Sequence, residues 1–139
     1  HQISRLSMVD SIDWVGPAAT ESDIAERIRS AEIGISIPSS DSAPVSVLEA
    51  LACGVPVIAS DLPAVRELII DGENGLLIPP GNVNALYHAM LRLFQDPARR
   101  RSMRESALSR IDARPDRDAG MKKLERLYES LIPNRKVHQ

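Results

Sequence analysis

The feature that most constrains the fold is the alternation of short apolar runs with longer segments of helical periodicity. Runs at 11–15, 33–37, 56–60 and 76–78 are each followed by proline, glycine or aspartate, which is typical of strands that end in loops. Between and after these runs, apolar residues recur at the three- and four-residue spacing of helices. Strands that alternate with helices predict an α/β fold with an open, mostly parallel sheet flanked by helices.

Capping signals indicate where the first two helices begin and end. Thr20 is followed three residues later by Asp23, a near capping box, and apolar residues continue at helical spacing through Ala31. Proline is favoured at the first helical position, so Pro44 predicts the start of a second helix. Gly54 is expected to end that helix in a left-handed conformation.

The rest of the chain predicts four further helices. Asp61 is expected to cap a helix that begins near Pro63 and continues to Ile69. Two helices between 86 and 111 are expected to cover one face of the sheet. A last helix carries a narrow apolar stripe, interpreted as core or as a surface that further parts of the protein would cover. The stripe consists of Met121, Leu124, Leu127 and Leu131.

Composition excludes several functional classes. The 139 residues suit one domain, and a net charge of −2 with 3% aromatic residues is unsuited to nucleic-acid binding. One cysteine, Cys53, and three scattered histidines offer neither a disulfide framework nor a Cys/His metal site. No apolar run approaches the roughly 20 residues of a membrane span, and the first residues lack a signal-peptide pattern. We therefore expect a cytoplasmic domain.

The loop after Ile37 is the best candidate for a binding site. It leads from the carboxyl end of a strand to the free amides of a helix, which attract anions. Asp41 and Glu49 stand seven residues apart around it, and their carboxylates could accept hydrogen bonds from sugar hydroxyls. Competing interpretations are a turn-capping role for Asp41 and an ion pair with a basic side chain for Glu49.

Two blocks, 40–61 and 71–81, resemble the signature of retaining GT-B glycosyltransferases of the group 1, family 4 type. In that family two glutamates separated by seven residues contact the donor sugar and the nucleotide ribose. The resemblance implies that Asp41 takes the first, catalytic position with a shorter carboxylate and that Glu49 takes the second. It also implies donor contacts near the base and the diphosphate, at Gly16, Pro17, Pro44, Val45 and Ser46.

The resemblance implies that residues 1–139 are a fragment of the C-terminal, Rossmann-like donor domain, without its first strand-helix units and without the N-terminal acceptor domain. The intact enzyme would serve polysaccharide biosynthesis by transferring a sugar from a UDP- or GDP-linked donor, with retention, to a saccharide or lipid-linked acceptor. No cofactor and no metal are implied. The fragment alone is expected to be inactive.

Two rival functions stay open: a nucleotide-sugar epimerase, which shares this architecture, and a degenerate, non-catalytic domain that binds a nucleotide or a partner. Product formation by the full-length protein would separate them. The basic cluster of Arg99, Arg100, Arg101 and Arg104 is interpreted as a solvated helix face, with peripheral contact to an anionic membrane as the alternative.

Overall fold

The computed structural model describes residues 11–13, 16, 20–113 and 117–131. Three strands alternate with helices in its first half, and three longer helices follow. In chain order the elements are α1 (Glu21–Ser30), β1 (Gly34–Ser36), α2 (Val45–Ala52), β2 (Val57–Ser60), α3 (Pro63–Arg66), β3 (Gly75–Ile78), α4 (Val83–Gln95), α5 (Pro97–Asp112) and α6 (Arg117–Leu131).

The three strands form a parallel sheet in the order β1-β2-β3. Gly34 of β1 lies beside Val57 of β2, which lies beside Gly75 of β3. The predicted α/β class is therefore confirmed. The prediction of a strand over 11–15 is wrong for residues 11–13, which are not in a strand. Residues 14 and 15 lie outside the described part of the chain.

Helices cover both faces of this sheet because β2 is apolar on both sides. Val57 and Ala59 pack into one cluster with Val47 and Leu51 of α2. Ile58, which points the other way, packs with other buried residues on the opposite face, chiefly Leu93 of α4 and Met103 of α5. All four residues of β2 are buried, as expected for a central parallel strand.

The expectation that two helices would together cover one sheet face is wrong for α5. Helix α4 packs on β2 and β3, whereas α5 packs against α2 and α4. Met103 of α5 belongs to the cluster on one face, and Ala107 belongs to the cluster on the other. The helix therefore bridges the two clusters instead of lying flat on the sheet.

The third helix is shorter than predicted, and Asp61 does not cap it. Helix α3 begins after Leu62 without a side-chain cap and ends at Arg66. The buried side chain of Asn74 forms hydrogen bonds with backbone groups that follow α3. Its amide nitrogen donates to the Leu68 carbonyl at 2.9 Å, and its oxygen accepts from the Ile70 amide at 2.8 Å. These two bonds hold a loop where helical periodicity alone predicted another turn.

The apolar stripe of α6 is not part of the core. Met121, Leu124 and Leu127 are all exposed, and the side chain of Leu131 lies outside the described part. The core interpretation is wrong for these three residues, because both buried clusters are filled by residues between 47 and 107. Among the described residues, no helix is long and apolar enough to cross a membrane.

Candidate functional site

The loop at 37–44 connects the carboxyl end of β1 to α2, as the sequence predicted. Asp41 shapes it, because one carboxylate oxygen accepts a hydrogen bond from the Ala43 amide at 3.0 Å. This is an Asx turn, the local role that competed with ligand contact for this residue. The second oxygen of Asp41 has no partner in the described part of the chain, and the residue is half-buried. The turn and a ligand contact are therefore compatible.

The first turn of α2 leaves two amides without an acceptor among the described residues. Pro44 is the N-cap residue and not the first helical residue, so α2 begins one residue later than predicted, and the Pro44 side chain makes no capping hydrogen bond. The Val45 amide donates to the Ala43 carbonyl at 2.7 Å, and the Leu48 amide donates to Pro44. Within the described residues no acceptor reaches the amides between them, those of Ser46 and Val47. Ser46 is exposed, whereas Val47 is fully buried, so the Ser46 amide is the one that can bind an anion at the positive end of the helix dipole.

Glu49 is the fifth residue of α2, and Ser46 precedes it by one turn on the same face. Both line a cavity of about 190 Å³ against β1. Glu49 also borders a cavity of about 400 Å³ between α1 and α2, across from Arg29. The side chain is exposed, and neither of the two ion pairs found in the described residues includes it. The carboxylate is therefore available to a ligand.

An ion pair between Asp61 and Arg66 lies at the carboxyl end of β2. The sequence analysis predicted only a helix-capping role for Asp61. Arg66 binds Asp61 through Nε at 2.6 Å and through Nη2 at 2.9 Å. The hydrogen bond from Arg66 is the main cause that lowers the pKa of Asp61. The only sequence signal for the pair is an acid just before the short helix α3 and a base at its end, five residues apart.

The remaining predicted positions are distributed as follows. Asp41, Pro44, Val45, Ser46 and Glu49 form one continuous loop-helix unit. Gly16 is exposed, and no neighbouring atom lies within 4 Å of the point where a Cβ would stand. Pro17 lies outside the described residues. Among the residues described, no group of three or more metal-ligating side chains is present.

Comparison with known proteins supports the motif resemblance. The family model for glycosyl transferases group 1 matches residues 1–110. An exopolysaccharide phosphotransferase of Streptomyces coelicolor is 37% identical over 96% of this chain, which corresponds to 14% of that protein. A phosphatidyl-myo-inositol mannosyltransferase of Mycobacterium leprae is 33% identical over 68% of this chain and 24% of its own length. The chain thus spans about a quarter or less of these relatives.

Solved structures show the same fold. A sucrose-phosphate synthase of Thermosynechococcus elongatus superimposes with a TM-score of 0.82 at 28% identity, over 94% of this chain and 32% of that one. HepE of Anabaena, in complex with UDP, gives a TM-score of 0.82 at 23% identity, over 92% of this chain and 35% of its own. In both cases the match covers about a third of the larger protein.

Proposed function

Because this chain belongs to the group 1 glycosyl transferases, we propose that it is part of a C-terminal domain that binds a nucleotide diphosphate sugar for transfer of the sugar. The observation that carries the proposal is the pairing of a free and accessible amide, at Ser46, with the unpaired carboxylate of Glu49 one turn further along α2. This places a donor for an anion beside an acceptor for hydroxyl groups.

The amide of Ser46 would hold the diphosphate. It lies at the positive end of α2, where negative charge is stabilised by the helix dipole and by direct hydrogen bonds. During transfer the leaving nucleotide diphosphate gains negative charge. Donors that are already oriented stabilise that charge without reorganising, which is a large source of catalysis in group-transfer reactions.

Glu49 would accept hydrogen bonds from the ribose. A ribose presents two neighbouring hydroxyls, and a carboxylate can accept from both. Its place on a helix that packs on α1, β1 and β2 fixes the backbone of Glu49 one turn beyond the Ser46 amide. Because the ribose of a nucleoside diphosphate adjoins the phosphates, we expect it to reach Glu49 when the phosphates lie at that amide.

Asp41 would contact the donor sugar through the oxygen that Ala43 leaves free. Its bond to the Ala43 amide fixes the direction of the carboxylate before a ligand arrives. In this role Asp41 is the catalytic residue of a retaining hexosyl transfer that needs neither a metal nor an organic cofactor. The remaining length of the protein would supply the acceptor site, for a saccharide or a lipid-linked saccharide.

The test is the affinity of the full-length protein for nucleotides, measured by calorimetry with UDP, GDP and UDP-glucose. UDP comes first because HepE was crystallised with UDP and with UDP-glucose. Glu49→Ala is expected to weaken binding by about 1.5–3 kcal/mol, since it removes hydrogen bonds to a charged acceptor. Glu105→Ala, an exposed glutamate on α5, is the control and should bind like the unaltered protein.

Unchanged affinity in Glu49→Ala would remove this residue from the site. Product analysis with the nucleotide sugar that binds then tests the reaction itself. A glycoside supports a transferase, an epimerised nucleotide sugar would reassign the chain to the epimerases, and binding without any product would identify a degenerate domain.

A further inference from the structure

A second charged cavity lies at the opposite end of the sheet. It has a volume of about 250 Å³ and is bordered by Glu32, Gly54, Pro56, Arg100, Arg101 and Arg104 among others. Pro56 directly precedes β2, so the cavity adjoins the amino ends of the strands, whereas Asp41 and the first turn of α2 follow a carboxyl end. The four residues of β2 alone span about 13 Å. The cavity is therefore separate from the proposed donor site.

The charges around this cavity are unbalanced. Arg100 is paired with Glu32 at 3.1 Å, donates to the Phe94 carbonyl at 3.0 Å, and has only 17% of its side chain exposed. Among the described residues, Glu32 is the one carboxylate that borders the cavity, and it is already paired with Arg100. Two further guanidinium groups that border the cavity, those of Arg101 and Arg104, therefore have no compensating carboxylate within the part of the chain that the structure describes.

The fold turns these two arginines toward the cavity. Arg104 makes one long contact, 3.5 Å from Nη1 to the Gly54 carbonyl. Its stem lies where a side chain at Gly54 would stand, because an added Cβ would come within 3.1 Å of Cγ and 3.2 Å of Cζ. Arg101 has no hydrogen bond or ion pair within the described residues, although Glu105 follows it by one helical turn.

We propose that this cavity binds a phosphate-type oxyanion, held between the guanidinium groups of Arg101 and Arg104. Guanidinium groups present planar, paired donors that match phosphate oxygens, and most donors of these two side chains are unused. The cavity lies below the usual size of pockets for drug-sized ligands, which suits a small anion or the phosphate of a larger molecule. Either a soluble phosphate compound or a lipid headgroup would provide this chemistry.

The full-length protein is titrated with inorganic phosphate while sodium chloride keeps the ionic strength constant, and the melting temperature is measured at each phosphate concentration. Specific binding is expected to raise the melting temperature along a saturating curve. Arg101→Gln and Arg104→Gln should each raise the apparent Kd roughly tenfold or more, because each removes a charged hydrogen-bond donor. Arg92→Gln, at an exposed position on α4 outside the cavity, should leave the curve unchanged.

A parallel arm separates the two sources of phosphate. The protein is sedimented with vesicles of phosphatidylcholine, with or without phosphatidylglycerol. A headgroup ligand is supported if the anionic vesicles retain the unaltered protein but neither arginine variant, and if inorganic phosphate does not change the melting temperature. Arg101→Gln keeps the test valid if Arg104→Gln does not fold, because Arg101 has no partner among the described residues. Responses to phosphate and to vesicles that are the same in the unaltered protein and the variants would overturn the proposal.

Discussion

At Gly75 the sheet has no space for a side chain. A Cβ there would lie 2.7 Å from the Val57 carbonyl oxygen and 3.2 Å from two atoms of Ile69. Gly75→Ala must therefore push β3 away from β2, and we expect it to reduce the free energy of unfolding by about 1–3 kcal/mol, as overpacking of cores does. Urea unfolding followed by circular dichroism measures the change.

Gly34 is the matched control for this prediction. It also lies in a strand and beside Val57, but a Cβ there would meet its neighbours at 3.5–3.8 Å, ordinary van der Waals distances. Gly34→Ala should unfold at nearly the same urea concentration as the unaltered protein. Equal losses in the two variants would mean that the contact with the Val57 carbonyl does not govern the effect.

At the scale of the element, helix α1 depends on its N-terminal cap. Thr20 accepts a hydrogen bond from the Asp23 amide at 3.2 Å, and the Asp23 carboxylate accepts one from the Thr20 amide at 2.9 Å. Thr20→Ala removes the first of these bonds and should destabilise the protein by about 0.5–2 kcal/mol. The measurement is again urea unfolding.

Thr20→Ser keeps the hydroxyl and is the control for this cap. It should retain most of the stability that Thr20→Ala loses, and a serine variant as unstable as the alanine variant would show that the hydroxyl contributes nothing. Because α1 packs on α2 and forms one wall of the cavity that Glu49 borders, loosening α1 should also weaken nucleotide binding slightly.

At the scale of the whole molecule, the core ends before α6 begins. The buried clusters lie between residues 47 and 107, and every described side chain of α6, from 121 to 128, is exposed. Removal of residues 114–139 should therefore leave cooperative unfolding intact, with a shift in melting temperature of a few degrees at most. Calorimetry of the shortened chain checks this expectation.

A longer truncation provides the contrast. Ending the chain after Gln95 also removes Met103 and Ala107, which belong to the clusters on the two faces of the sheet, and it should abolish cooperative unfolding. If the shorter truncation had the same result, α6 would be part of the folding unit despite its exposure.

The sequence by itself determined what depends on local chemistry. The capping box at Thr20, the positive φ at Gly54 and the alternation of strands and helices follow from neighbouring residues. The seven-residue spacing that made Asp41 and Glu49 candidates for the site is also local, because both belong to one loop-helix unit. Residues within a few positions of each other are held together by the chain, so their pattern predicts their geometry.

Only the tertiary structure decided which distant groups meet. Helical periodicity gave α5 an apolar side, but not its position between the two clusters, and it gave α6 a stripe that no described cluster buries. The end of α3 depended on the side chain of Asn74, several residues further along the chain. The spacing of the arginines of α5 predicted only a charged helix face, whereas packing places Arg104 against Gly54 and Arg100 against Glu32. Such partners are chosen by the competition of all segments for a limited core, which no local pattern records.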